Sequence, residues 1–166
     1  MFLYVYTKGT HTDLYVKKVD TDLYTSLEEL YQELEEEGLE DFIVKILEMQ
    51  VQAIPSFCYN SKDLTVSDYF FDWINLHETD QEIVYAYNRY VDNYCQDVEE
   101  ILGKYRGTWR DTEEFTEELL SDIYGSEIDA LPPILQYSID YSIAARDLFL
   151  TDFVFVEHFN LVFESY

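Results

Sequence analysis

DTEEFTEELLSDIYGSEIDA, residues 111–130, holds eight carboxylates and no lysine or arginine. Phe115, Leu119, Leu120 and Ile123 fall on one side of a 3.6-residue repeat, while Glu113, Glu114, Glu117, Glu118 and Asp122 occupy the rest. The stretch therefore reads as an amphipathic helix from about Thr112 to Tyr124, with Asp111 and Glu114 as its cap pair. A helix dipole favours acids in the first turn, which accounts for part of the cluster. The rest of the acidic side must face something that tolerates it.

The flanks of this helix set the fold class. KYRGTWRD precedes it, with Gly107 read as a turn. Pro132 and Pro133 restart the chain after it, and ILQYSIDYSIAARDL reads as one further helical stretch. FVFVE and NLVFES, joined by a turn at His158–Phe159, read as a hairpin. Residues 104–166 thus form an α+β segment.

The middle, residues 62–103, reads as short helices. Thr65 and Asp68 are the expected cap of one through YFFDWINL, and Thr79 with Glu82 forms a capping box before IVYAYNRYV. A third, around DVEEIL, ends near Gly103. Ile83, Tyr87, Tyr90, Val91 and Tyr94 recur at helical spacing, as in a small bundle whose tyrosines line a core.

Residues 1–61 read as a second α+β segment. Phe2–Tyr6 is a strand, KGTHT a turn and LYVKKV a second strand. Ser26 to Gly38 is a helix with an Ser26–Glu29 capping box, an apolar row of Leu27, Leu30, Tyr31 and Leu34, and Gly38 as its stop. Asp41 to Ile54 is read as a strand ended by Pro55. The expected fold class is α+β, a chain of three small domains at 1–61, 62–103 and 104–166.

Charge is the strongest single fact. The chain of 166 residues carries 35 acids against 10 bases, a net charge of −25. At 48% hydrophobic, with 16 Tyr and 11 Phe, it has ample material for a core, so this is no disordered acidic tail. Such a field repels nucleic acid and anionic lipid and attracts basic surfaces. Residues 19–44 hold ten acids, 63–88 six and 111–145 nine, all without Lys or Arg. The bases bunch elsewhere, as at Lys17–Lys18 and at Lys104, Arg106 and Arg110. A surface tuned only for solubility intersperses its signs.

Cys58 and Cys95 match no metal spacing and read as reduced, buried thiols of a cytoplasmic protein. The N-terminus lacks the pattern of a signal peptide, and no run is long enough to span a membrane. His11, His77 and His158 are scattered, and no phosphate loop, nucleophile elbow, EF-hand loop or metal motif occurs. The expectation is a protein without catalysis, cofactor or metal. Three readings of the charge remain: a salt-adapted surface, an acidic adaptor for a basic partner, and a mimic of DNA. Duplex DNA carries one charge per ~1.7 Å, so the net charge matches roughly 40 Å of duplex, about a dozen base pairs.

YRGTWRDTEEFTEELL (105–120), LPPILQYSIDYSIAARDLFL (131–150) and the terminal FVFVEHFNLVFESY resemble the C-terminal half of the ArdA antirestriction family. The likeness rests on an ordered set: Tyr105 and Gly107, Phe115, Leu131 to Leu135, Ile139-Asp140-Tyr141 and Ala145-Arg146-Asp147-Leu148. The resemblance implies an elongated three-domain protein, encoded by mobile elements, that dimerises through its C-terminal domain. It implies mimicry of bent DNA and blockade of type I restriction–modification enzymes at the methyltransferase and specificity subunits, without cofactor. The implied partner-binding carboxylates are Glu28, Glu33, Glu36, Glu40, Asp68, Asp72, Asp80, Glu82, Asp97, Glu100, Glu113, Glu114, Glu117, Glu118, Asp122, Glu127 and Asp129. Asp140, Tyr141, Arg146 and Asp147 read as structural, with Arg146 in an internal ion pair, and Trp109 as either a dimer contact or a core residue. The same charge logic suits a mimic aimed at another defence system, such as a CRISPR effector, or an acidic regulatory adaptor.

Overall fold

A computed structural model describes residues 1–8 and 13–165. The expected turn over KGTHT falls mostly outside the described residues, as does His11. The chain forms two compact units, Met1–Leu102 and Gly103–Tyr166. The mixed α+β class is borne out, with one three-stranded antiparallel sheet in each unit.

In the first unit β1 (Phe2–Thr7) lies between β2 (Leu14–Asp20) and β3 (Phe42–Lys45). Alternation buries Leu3 and Val5 of β1 beside Val19 and Val44, and leaves Phe2, Tyr4 and Tyr6 on the other face. Helix α1 (Leu27–Glu36) buries Leu27, Leu30 and Leu34, and its Tyr31 meets Phe42 edge-on at 5.2 Å. Ser26 caps α1 by accepting from the Glu29 N–H at 3.1 Å, while the Glu29 carboxylate accepts from the Thr25 N–H, closing the expected box one residue earlier.

The strand expected over Asp41–Ile54 is cut short. Only Phe42–Lys45 pairs with β1: Lys45 lies opposite Tyr4, and the next N–H, of Ile46, turns to the Leu64 carbonyl at 3.0 Å instead of continuing along β1. The Gln50 side chain takes over, donating to the Phe2 carbonyl at 3.2 Å and accepting from the Leu47 N–H at 2.9 Å, and Glu48–Ala53 winds as a 3₁₀ helix. Lys45 then bridges to Thr65, and Tyr59 to Val66. Short helix α2 (Tyr69–Ile74) buries Phe70, Phe71 and Trp73, and α3 (Glu78–Tyr90) buries Ile83, Val84, Ala86, Tyr87 and Asn88.

Neither expected cap of these helices forms. Asp68 precedes α2 without a side-chain cap bond, and α3 starts one residue before Thr79, so the His77 Nδ1 accepts from the Thr79 N–H. The tyrosine row is split: Tyr87 is buried, but Tyr90 ends the helix half-exposed and Tyr94 lies beyond it at 86% exposure. Helix α4 (Val98–Lys104) follows. Cys58 is buried, and burial pushes its thiol well up, the Asp72 charge adding to the rise. Cys95 is only half-buried, contrary to expectation.

In the second unit Gly107 lies inside a strand rather than a turn. Strand β4 (Tyr105–Thr108) pairs with β6 (Leu161–Glu164), which pairs with β5 (Phe153–Val156) in the expected hairpin. The β4–β6 register shifts between Tyr105 and Thr108, and Gly107 takes φ +110° there. Helix α5 (Thr112–Asp129) outruns its expected end and carries a kink at Tyr124. The continuous helix expected over ILQYSIDYSIAARDL is two, α6 (Pro133–Gln136) and α7 (Tyr141–Thr151), because Asp140 caps α7 by accepting from the Ser142 N–H. Phe115 anchors α5, its ring edge-on to Trp109, Phe149 and Phe153.

Candidate partner-binding carboxylate surface

The elements place the candidate acids outward. All are exposed except Asp80 and Glu114, which are half-buried. In the first unit two cavities bring acids from separate elements together. Glu28 and Glu35 of α1 share one, of about 490 Å³, with Asp68 at the start of α2. Asp72 of α2 shares another, of about 660 Å³, with Asp97 and Glu99 before and within α4. Asp68 and Asp72 are four residues apart, so one side of α2 joins the two groups. A row runs from α1 across α2 to α4. Glu35 and Glu99 were not among the candidates, although Glu35 lies two turns along α1 from Glu28, a spacing that places both on one side.

In the second unit α5 carries the densest row. Glu113 and Glu117, and Glu114, Glu118 and Asp122, lie at four-residue steps, with Glu113 and Glu117 opposite Phe115 and Leu119 and the second row coming round to the edge of the apolar side at Asp122. The axial rise from Glu113 to Asp122 is about 13.5 Å, so the five carboxylates average one per ~3.4 Å along the axis, in unequal steps of about 1.5, 4.5, 1.5 and 6 Å. One strand of a DNA duplex carries a charge every ~3.4 Å. Glu127 and Asp129 lie past the kink at Tyr124 and continue in a different direction.

Some candidates also serve the fold. The Tyr24 hydroxyl donates to Glu33 at 2.8 Å, and Lys17 lies 4.0 Å from the same carboxylate. Burial and that bond push the Tyr24 phenol up to about 12. Asp97 accepts from the Glu100 N–H, and Glu114 from the Arg110 N–H at 2.7 Å. The neighbouring Ser126 hydroxyl holds Glu127 below its ordinary range. The remaining candidates on α1, α2, α3 and α5 are exposed, apart from the half-buried Asp80.

The bases are turned elsewhere. Lys17 pairs with Glu37, Lys45 with Asp13, Arg106 with Glu164, Arg110 with Asp111 and Arg146 with Asp147. Lys17 also reaches the candidate Glu33, whereas the carboxylates paired with Lys45, Arg106, Arg110 and Arg146 are not candidates. The Arg146 pair is between exposed neighbours, not an interior one as expected. Trp109 is half-buried, its indole N–H donating to the Arg106 carbonyl.

Among the described residues no cluster of His, Cys, Asp and Glu could hold a metal ion, and no helix is long and apolar enough to cross a membrane. A family model described as Antirestriction protein (ArdA) matches residues 13–159. No curated protein and no solved structure matches.

Proposed function

The chain belongs to the ArdA antirestriction family, and on that premise we propose that it inhibits type I restriction–modification enzymes by mimicking DNA in the groove of the methyltransferase core. The observation that carries this reading is the separation of charge: rows of carboxylates on α1, α2 and α5, with Lys45, Arg106, Arg110 and Arg146 paired to acids outside those rows. Lys and Arg that contact phosphates in the enzyme meet carboxylates here. Each exposed pair contributes about 0.2–1 kcal/mol, so affinity is the sum of many contacts. Nothing is turned over, and no cofactor takes part. The inhibitor acts in the cytoplasm, with the methyltransferase and specificity subunits as its partners.

The proposal includes a homodimer. Ile134 at 75% exposure and Tyr137 at 89%, with Ile123, Leu135, Ile143 and Leu150, place apolar surface on α5, α6 and α7 of the second unit. Covering it with a second copy removes that area from water and doubles the number of carboxylates offered to one enzyme. The deciding experiment is competition at low salt between the purified protein and a fluorescent duplex for a type I methyltransferase complex. Displacement of the duplex is expected. Undiminished DNA binding in excess protein overturns the proposal.

A further inference from the structure

Four cavities of the first unit, of about 660, 490, 380 and 310 Å³, each have at least one carboxylate in the wall. A smaller one, of about 210 Å³, has none. Its lining residues include Arg89 at the end of α3, Ser56, Tyr59, Tyr85, Asn88 and Asn93.

The wall is held in place. The buried Asn88 accepts from the Ser56 N–H at 2.8 Å and hydroxyl at 3.0 Å, and donates to the Asn93 carbonyl at 3.3 Å. The Tyr85 hydroxyl donates to the Gln52 carbonyl at 2.8 Å. Two groups stand apart from this network. Neither the Arg89 guanidinium nor the Tyr59 hydroxyl has a hydrogen-bond partner among the described residues. Burial raises the Tyr59 phenol, and the nearby Arg89 charge works against that rise. Arg106, Arg110 and Arg146 each pair with a carboxylate, whereas Arg89 pairs with none among the described residues, in a chain that has 35 acids.

We infer that this cavity binds a compact oxyanion, a phosphate- or carboxylate-type group, gripped by Arg89 and the Tyr59 hydroxyl. A guanidinium presents planar, forked donors that match two oxygens at once. The cavity is below the ~300 Å³ of an ordinary small-molecule site, which limits the occupant to a small ion or a single side-chain or terminal carboxylate. The net charge opposes free anions over long range, but at an ionic strength of about 0.15 M the field is screened beyond ~8 Å and the local cation dominates.

The test is an NMR titration of the full chain with sodium phosphate and, separately, sodium acetate, at constant ionic strength. Saturable shifts of the Ser56, Asn88 and Asn93 amides are expected. Saturation by phosphate alone identifies a free phosphate-type ion, and saturation by acetate identifies a carboxylate such as a partner protein presents. Arg89→Gln, at an exposed position that leaves the core intact, is expected to weaken binding about tenfold or more, the loss of one charge-assisted hydrogen bond. Arg89→Lys restores part of it, and Tyr59→Phe weakens it less. Shifts that stay linear with both ions at millimolar concentrations, or equal affinity in Arg89→Gln, overturn the inference. The titration involves no restriction enzyme, so its failure leaves the competition with DNA untouched.

Discussion

Gly107 shows how much one residue decides. Its φ of +110° is open to glycine and strained for any other residue, and an added Cβ would sit 2.9 Å from the Trp109 Nε1. Gly107→Ala is expected to lower stability by about 2 kcal/mol or more, read as a lower urea midpoint with unchanged slope. Asp111 shows the same dependence through charge. The Arg110 side chain first, then the Glu114 N–H, holds its carboxyl below the usual range. A depressed folded value means that its cap contributes fully above the unfolded value of about 3.9, and is lost as pH falls through the folded one. Helix content followed by circular dichroism should therefore fall below about pH 4, and Asp111→Asn should flatten that acid limb.

At the scale of elements, what was legible followed periodicity. The row Leu27, Leu30, Tyr31 and Leu34 is legible because burial on a helix has that period, with the leucines buried and Tyr31 half-buried, and the strand over Phe2–Tyr6 is legible from its β-rich composition. The misses share a cause. The end of β3 is set by the Ile46 N–H turning to the Leu64 carbonyl and by one Gln50 side chain, neither visible in a local window. Asp140 broke an apparently continuous helix because a cap competes with propagation. The sequence offers the candidate acids only as a list; that Glu28, Glu35 and Asp68, and Asp72, Asp97 and Glu99, come together in two cavities needs the fold. Replacing Glu113, Glu117, Glu118 and Asp122 together with amides should weaken competition with DNA roughly tenfold or more, while each single change stays within about threefold. The same quadruple variant should melt at a higher temperature, since like charges four residues apart repel. Equal competition by the quadruple variant and the parent would show that α5 does not face the enzyme.

For the whole molecule, salt acts twice with opposite signs. A net charge of −25 destabilises the compact state through self-repulsion, so raising salt from 0.05 to about 0.5 M should raise the melting temperature. The same screening should weaken the proposed inhibition. A melting temperature that falls with salt would mean that paired charges outweigh unpaired ones. Light scattering addresses the dimer: the expected mass is twice 19.8 kDa, and Ile134→Asp with Tyr137→Asp should return it to one copy.

The kink at Tyr124 divides α5 into parts with different lifetimes. Its buried residues, Phe115 and Thr116, both lie in the first part, and beyond the kink the helix has only a few residues and none of them buried. Helical segments that short do not persist on their own in water. Amide protons from Gly125 to Asp129 should therefore exchange with deuterium well before those of the first part. The far end of the acidic helix is then a part that can be re-aimed by the surface it meets, while its root stays fixed.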